Sequence, residues 1–221
     1  MPILIYSIRV PTLHLKGWGA YLQYSLKIPV INKAIGKRSA RSFIAEGRFQ
    51  EVANSVLAED FVVIEFGHND GGSPQGTDNG RSACYGAGSE TCTTPAGLIV
   101  QTFPTYLIAA AKLMTAKGAQ VIISATTPNN PRETRPFVYS PGGFTTYARD
   151  SAPKVGGLAS FVDHGQYTAN IYQTLGGAKI NSYFPQDHTH TSAARADVVS
   201  KTFVKSVLCA GNIPLAPYVK K

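Results

Sequence analysis

Residues 61–72 read FVVIEFGHNDGG, an apolar run that stops abruptly at glycine, asparagine and aspartate. The run is nearly continuous and rich in β-branched residues, which is typical of a strand buried on both faces of a parallel sheet. Comparable apolar runs occupy residues 3–8, 28–31, 120–125 and 159–162. These runs together predict a five-stranded parallel sheet.

Segments with helical spacing of apolar residues lie between these runs. They occupy residues 19–26, 43–57, 103–117 and 192–208. Gly118 is a suitable C-terminal cap for the third segment, and Thr191 or Ser192 is a suitable N-cap for the fourth. The alternation of strands and helices predicts an α/β fold with helices on both faces of the sheet. Ligands of such folds bind at the carboxyl ends of the strands, so we expect functional residues there.

Composition narrows the classes of partner. The chain has 221 residues, 43% of them hydrophobic, which suits one domain spanning 1–221. No apolar stretch approaches the ~20 residues that cross a bilayer, so we expect no membrane partner. The net charge of +8 favours an acidic partner, which leaves nucleic acid, anionic lipid and acidic polysaccharide open. Because no basic run alternates with aromatic residues, we expect no nucleic-acid partner.

The cysteines and the first residues favour different compartments. Cys84 and Cys92 lie within a long glycine-rich loop, residues 71–97. Their spacing suits a disulfide in an oxidising compartment as well as it suits two free thiols. Cys209 has no evident partner, so it is either free or paired outside this chain. The start, MPILIYSIRV, does not match a secretory signal, since no basic segment precedes the apolar run.

The segment YFPQDHTHTS, residues 183–192, places Asp187 shortly before His190 and next to a predicted helix. A histidine can take and return a proton near neutral pH, and a carboxylate beside it fixes its tautomer. The pair therefore fits a hydrolytic base with its orienting carboxylate. Two other interpretations fit the same residues: an Asx turn that leads into a helix cap, or a metal site with His188 and His190 as ligands.

Polar residues and glycine also follow two of the predicted strands. Asn69 follows the run at 61–66, where its amide fits a hydrogen-bond donor to an oxyanion, although the same residues fit a plain turn. The adjacent His68 is expected to be structural or to act through a neighbour rather than as a base. Gly36 and Lys37 lie between a strand and a helix, where backbone N–H groups suit an anion or oxyanion.

Together these segments resemble the SGNH (GDSL) hydrolase superfamily, most closely the fungal-type rhamnogalacturonan acetylesterases. The resemblance covers about residues 17–210, leaving an atypical N-terminal segment, 1–16, and a C-terminal tail, 211–221. The matching motifs are GWGAYL (17–22), KRSARSFIAEGRF (37–49), VIEFGHNDGGS (63–73), TDNGR (77–81), the spacing of Cys84 and Cys92, FPTYL (103–107), TAKGAQVIIS (115–124), TPNNPRE (127–133) and NSYFPQDHTHTS (181–192). The family implies a flavodoxin-like three-layer α/β/α sandwich.

The resemblance also implies a function. It implies a serine-type acetylesterase that removes acetyl groups from pectic rhamnogalacturonan by a Ser-His-Asp mechanism, with neither metal nor cofactor. His190 is then the general base, Asp187 is its orienting carboxylate, and His188 has no role. The implied oxyanion donors are Asn69 and the backbone near Gly36 and Lys37.

Further expectations concern the whole protein. The match in cysteine spacing favours a disulfide between Cys84 and Cys92. The family implies secretion, an acetylated pectic polysaccharide as the substrate, and a monomer.

Two positions depart from the family pattern. Lys37 stands where the family has a glycine, and Gly36 comes one residue earlier. The family's Gly-Asp-Ser turn, which carries the nucleophile after the first strand, is absent from this sequence, and Ser7 is the only serine at a comparable place. Without the glycine, a sharp turn that presents a hydroxyl is harder to build.

We expect one cause for three of these irregularities: both ends of the chain differ from those of the family's enzymes. Altered ends would remove a signal peptide, the nucleophile turn and a partner for Cys209. The alternative function is a catalytically inactive homologue that binds acidic polysaccharide.

Overall fold

A sheet of five parallel strands lies at the centre of the computed structural model, which describes residues 3–6, 17–132, 136–185, 187–190 and 192–221. The strands of the protein are β1 (Ile3–Tyr6), β2 (Val30–Asn32), β3 (Phe61–Ile64), β4 (Thr91–Thr93), β5 (Ile99–Gln101), β6 (Gln120–Ser124) and β7 (Ala159–Val162). The central sheet has the order β2-β1-β3-β6-β7, while β4 and β5 pair as an antiparallel hairpin. This strand order is that of flavodoxin-like folds.

The first predicted strand is an inner strand of this sheet, next to the middle strand β3. The backbone of β1 pairs with β2 on one side and with β3 on the other, both in parallel. Ser7 follows directly in the sequence, but it belongs to residues 7–16, which lie outside the described part of the chain.

The α-helices pack on both faces of the sheet. They are α1 (Ala40–Ala45), α2 (Arg48–Ser55), α3 (Phe103–Thr115), α4 (Gly143–Val155), α5 (His164–Leu175), α6 (Gly177–Ser182) and α7 (Ala193–Cys209). Ser192 caps α7 by accepting a hydrogen bond from the backbone of Arg195, whereas Thr191 lies outside the described residues. No helix in the described ranges has both the length and the apolarity to cross a bilayer.

Every residue of β3 is buried, because the two faces of the sheet carry separate hydrophobic clusters. On one face, Val62 belongs to a cluster that includes Phe43 of α1 and side chains of α2, α3 and α4. On the other face, Phe61 belongs to a cluster that includes Tyr172 of α5 and Phe203 of α7. The predicted α/β fold with helices on both faces is confirmed.

Two predicted helices differ from the structure. Residues 19–26 form two short 3-10 turns at Trp18–Ala20 and Leu22–Tyr24 rather than an α-helix. Residues 43–57 contain parts of two helices, α1 and α2, because Gly47 adopts a left-handed conformation with φ of 69° and interrupts the turn. Glycine takes this conformation without steric penalty, so the break falls there.

The spacing of apolar residues predicted no helix at the positions of α4, α5 or α6. Helix α4 begins at Gly143 and contains Pro153, and both residue types lower intrinsic helix propensity. Packing against α3 and the sheet therefore stabilises a helix whose sequence favours it weakly.

The long loop is ordered by a cross-link and a hairpin. Cys84 and Cys92 form a disulfide, which confirms the favoured pairing. The backbone N–H of Cys84 also donates to the carbonyl of Gln101 in β5 at 2.9 Å. Cys209, at the end of α7, is exposed and forms no disulfide within the described residues.

Candidate active site

The candidate residues lie at the carboxyl edge of the sheet. Residues 65–72 follow β3, residues 33–39 follow β2, and the segment after β6 carries Asn130. The backbone N–H of Asn130 donates to the carbonyl of His188 at 2.8 Å, which joins the segment after β6 to the segment before α7. Four stretches that are distant in sequence thus meet at one edge.

Asp187 and His190 are in direct contact. Oδ2 of Asp187 lies 2.6 Å from Nδ1 of His190, while Oδ1 accepts the backbone N–H groups of Thr189 and His190 at 2.8 and 2.7 Å. Burial raises the pKa of Asp187, but these hydrogen bonds outweigh burial and lower the pKa to about 2. The carboxylate is therefore ionised at any pH near neutrality. With Nδ1 facing Asp187, Nε2 of His190 is the ring atom left to exchange a proton with a substrate or a nucleophile.

The Asx-turn interpretation also holds in the structure. Asp187 accepts the two backbone N–H groups that such a turn requires, and the helix cap follows at Ser192. The turn and the His–Asp contact are compatible, because the two carboxylate oxygens serve them separately.

Arg195 was not among the predicted site residues, and its side chain stabilises the segment that carries Asp187 and His190. Its guanidinium donates to the hydroxyl of Tyr172 and to the carbonyl of Pro128, the latter at 3.0 Å, and stacks on the ring of Phe184 at 4.4 Å. The side chain is buried beneath both loops. The sequence feature that could have identified Arg195 is its place in the first turn of α7, shortly after Asp187 and His190.

Asn69 is held at both ends of its amide. Its Nδ2 donates to the carbonyl of Arg38 at 3.2 Å, and its Oδ1 accepts from Nη1 of Arg81 at 3.2 Å. One amide hydrogen is thus used, and the second remains for another acceptor. Arg81 was overlooked in the sequence, although it closes the TDNGR motif.

The backbone at Gly36 and Lys37 turns sharply into α1. Lys37 adopts φ of 63°, in the left-handed region, and its side chain is exposed. A glycine adopts this conformation freely, whereas another L-residue pays roughly 1–2 kcal/mol. Ser39 then begins α1 with a reciprocal capping box with Ser42. The physical reason for a glycine at position 37 is therefore visible, even though this chain carries lysine.

The described contacts place these residues in two groups. Asp187 and His190 form one, and Asn69 with the backbone of Arg38 forms the other. Burial lowers the pKa of His68, the neighbour of Asn69, to about 4, and the charges of Arg195 and His190 act in the same direction. The indirect role of His68 stays a prediction.

Asp70 fixes the loop that carries Asn69. Its buried carboxylate accepts the backbone N–H groups of Ala40 and Gly67 at 2.8 and 2.9 Å, joining the start of α1 to the end of β3. Burial raises the pKa of Asp70 to about 7 despite these two donors. The ionised form is therefore disfavoured in the folded protein.

A pH dependence of stability follows. Since the folded pKa of Asp70 lies above the unfolded value, its contribution to stability is complete below about pH 4 and is lost as pH rises through about 7. We expect the free energy of unfolding to fall by on the order of 4 kcal/mol over this range from Asp70 alone. Denaturant titrations of wild type and Asp70→Asn at several pH values measure it. Parallel curves for the two proteins would contradict the prediction, and Asp150→Asn, on the exposed face of α4, is the matched control.

A second carboxylate–imidazole pair lies buried under the site. Glu65 accepts the hydroxyl of Ser124 at 2.6 Å and the indole N–H of Trp18 at 3.0 Å, and its Oε2 lies 2.8 Å from Nδ1 of His164. Nε2 of His164 lies 2.9 Å from the carbonyl of Val199. The His164 side chain is 0% exposed, so this pair ties β3, β6, α5 and α7 together and cannot meet a substrate.

The metal-site interpretation gains no support from geometry. Within the described ranges, no group of three or more His, Cys, Asp or Glu side chains converges on a point where it could hold a metal ion. The Nδ1 atom of His190 is already engaged by Asp187.

Comparison with known proteins agrees with this architecture. No protein-family model matches the chain. A rhamnogalacturonan acetylesterase from Emericella nidulans is 50% identical over 198 residues, which cover 88% of this chain and 80% of that protein. Among solved structures, the Bacillus subtilis protein YXIM superposes with a TM-score of 0.73 at 19% identity, covering 95% of this chain and 56% of YXIM.

A catalytic mutant of an acetylxylan esterase from Geobacillus stearothermophilus superposes with a TM-score of 0.63 at 16% identity, covering 93% of this chain and 92% of that esterase. The structural neighbours share the fold. The 50% identity to the Emericella protein extends over most of both sequences, so the chain belongs to the rhamnogalacturonan acetylesterase family.

Proposed function

We propose that this protein is a carbohydrate esterase that removes acetyl groups from rhamnogalacturonan. The observation that carries the proposal is the Asp187–His190 contact of 2.6 Å at the carboxyl edge of the sheet. The family relationship indicates which bond is cleaved, an acetyl ester, and which polysaccharide carries it.

The described residues support the following chemistry. Asp187 holds Nδ1 of His190, so Nε2 accepts the proton of an attacking hydroxyl while the hydroxyl oxygen bonds to the acetyl carbonyl carbon. The resulting oxyanion accepts hydrogen bonds from the free amide hydrogen of Asn69 and from backbone N–H groups near Gly36 and Lys37. When the intermediate collapses, His190 returns the proton to the departing sugar oxygen. Water then repeats the sequence on the acyl-enzyme and releases acetate.

The attacking hydroxyl is expected after β1, an inner strand of the sheet. Ser7 is the residue at that place in the sequence. Catalytic mutants of the Geobacillus acetylxylan esterase replace a serine, an aspartate or a histidine, and that aspartate and histidine are separated by three positions. Asp187 and His190 have the same separation.

A second candidate function is a homologue that binds acidic polysaccharide without cleaving it. The observation that favours it is the absence of Gly-Asp-Ser from this sequence. The candidate site at the carboxyl edge of the sheet and the positive net charge of +8 would serve binding equally well.

Acetate release from acetylated rhamnogalacturonan separates the two. Release by the wild-type chain that Ser7→Ala abolishes supports the esterase with Ser7 as nucleophile. Release that survives Ser7→Ala but not His190→Ala keeps the esterase and moves the nucleophile elsewhere. Binding of the polymer by the wild type with no acetate release supports the binding homologue instead.

The remaining expectations fit this proposal. The Cys84–Cys92 disulfide suits an oxidising, extracellular compartment, where pectic polysaccharide is found. An acidic polymer complements the positive net charge. We propose a secreted monomer that needs neither metal nor cofactor, which analytical ultracentrifugation and activity in the presence of a chelator test directly.

Arg81 is expected to position Asn69 for catalysis. Without the bond from Nη1 of Arg81 to Oδ1 of Asn69, the amide is free to rotate, so Arg81→Gln should lower kcat by roughly tenfold to a hundredfold with little change in KM. Arg81→Lys should restore part of the loss. Arg149→Gln removes the same charge from the exposed face of α4 and is the control. An equal loss in both variants would point to net charge rather than position.

A further inference from the structure

An open groove of about 540 Å³ runs along the carboxyl edge of the sheet beside the candidate site. Three segments wall it, at residues 67–71, 126–131 and 138–145. His68 at one end directly precedes Asn69. Asn130 in the second wall binds the carbonyl of His188, close to His190. The groove is therefore continuous with the residues that the proposed mechanism uses, and its size is typical of sites that enclose a small ligand.

The described lining of the groove is uncharged. Within the described residues, no Asp, Glu, Lys or Arg side chain lines it. Its histidine, His68, is neutral near neutral pH because burial lowers its pKa to about 4. Pro131, Val138 and Phe144 supply apolar surface, and Val138 is 56% exposed. The exposed amide of Asn129 supplies a hydrogen-bonding group at the rim.

An exposed cation, Lys37, lies on the other side of β1 from the groove. Lys37 follows β2, whereas the groove walls follow β3 and β6. A chain with a net charge of +8 thus combines a groove whose described lining is uncharged with an exposed cation across β1.

We propose that this groove is a subsite for a neutral deoxy-sugar ring, the rhamnose of a rhamnogalacturonan chain, with anionic galacturonate lying on the Lys37 side of β1. The inference rests on the proposed function for the identity of the polymer. A galacturonate carboxylate in the groove would lose water without gaining a cationic partner, at a cost of several kcal/mol. A rhamnose ring carries a methyl group and C–H faces that pack on Val138 and Phe144, and hydroxyls that meet the amide of Asn129.

Calorimetric titrations of the full chain test the proposal without requiring turnover. The probes are deacetylated rhamnogalacturonan oligosaccharides and galacturonate-only oligosaccharides of equal length, at one ionic strength. We expect the rhamnose-containing probe to bind about tenfold more tightly, although it carries fewer charges. Asn129→Ala should weaken that probe by about threefold to tenfold and leave the galacturonate-only probe unchanged.

A charge placed in the groove is the sharper discriminator. Val138→Lys should weaken the rhamnose-containing probe, because it puts an ammonium group where a neutral ring packs. Leu57→Lys adds the same charge at an exposed position before β3, at the opposite edge of the sheet, and is the matched control. If Val138→Lys binds either probe more tightly than Leu57→Lys does, the groove takes a uronate and the proposal is wrong. Equal affinity for the two probes, or no binding of either, also overturns it.

These outcomes are separate from those of the esterase proposal. The expected binding pattern without acetate release leaves the subsite standing and removes the esterase. Acetate release from acetylated polymer, with KM unchanged in Val138→Lys and Asn129→Ala, keeps the esterase and removes the subsite.

Discussion

Replacement of His190 by alanine is expected to lower kcat for acetate release by roughly a thousandfold while KM stays within about threefold of wild type. The reason is that Nε2 of His190 is the proposed acceptor of the nucleophile's proton, since Nδ1 faces Asp187. The His164–Glu65 pair is buried and cannot substitute for it. Single-substrate kinetics on acetylated rhamnogalacturonan measure the effect.

Asp187→Asn tests the orienting role separately. The amide would place an N–H group opposite Nδ1 and favour the tautomer in which Nε2 carries the hydrogen, so we expect a loss of roughly a thousandfold with the fold intact. His188→Ala changes the same residue type two positions away and leaves the backbone contact with Asn130 in place, so it is the matched control. If His188→Ala lost as much activity as His190→Ala, the assignment of the base would be wrong.

Glu65→Ala should produce the largest loss of stability, about 3–5 kcal/mol in the free energy of unfolding. Removing this carboxylate takes the acceptor from the indole of Trp18 and from Nδ1 of His164, and it leaves the hydroxyl of Ser124 only a long bond of 3.4 Å to the carbonyl of Ala125. Each buried donor that loses its partner keeps its desolvation penalty. Chemical denaturation of the variant and wild type measures the difference.

Glu65→Gln refines this test. The amide retains one acceptor, and its NH₂ can donate to Nδ1 of a neutral His164 whose Nε2–H faces Val199, so the loss should be only about 1–2 kcal/mol. Glu51→Ala, on the exposed side of α2, is the control and should change stability by less than about 0.5 kcal/mol. A Glu65→Ala protein within about 1 kcal/mol of wild type would show that the network contributes little.

The fold was largely predictable from the sequence because the inner strands β3 and β6 are almost wholly buried. Such strands read as unbroken apolar runs, and four of the five central strands fall within the predicted runs, while β2 extends one residue beyond its run to Asn32. Helices were harder to delimit. Gly47 divides one predicted helix, and α4 forms despite Gly143 and Pro153, so tertiary packing overrides local preference in both directions.

The candidate site was predictable only in its principal residues. Asp187, His190 and Asn69 stand beside strand and helix ends, where spacing carries information. Arg81 and Arg195 act across long sequence separations, so no local pattern identifies their partners. Glu65 did leave a signal, since a carboxylate within the buried run FVVIEF needs partners, but the sequence does not say that they are Trp18, Ser124 and His164.

The position of β1 inside the sheet has a consequence for how the chain folds. This strand precedes both of its partners, β2 and β3, in the chain, and every pairing in the central sheet joins segments that are far apart in sequence. Sheets of high contact order fold slowly, on the millisecond-to-second scale rather than in microseconds. During that interval the apolar run at 3–6 has no partner on either edge, and unpaired apolar strands are prone to aggregate. Both edges of β1 depend on segments that follow it in the chain, so folding yield should be sensitive to substitutions in this strand.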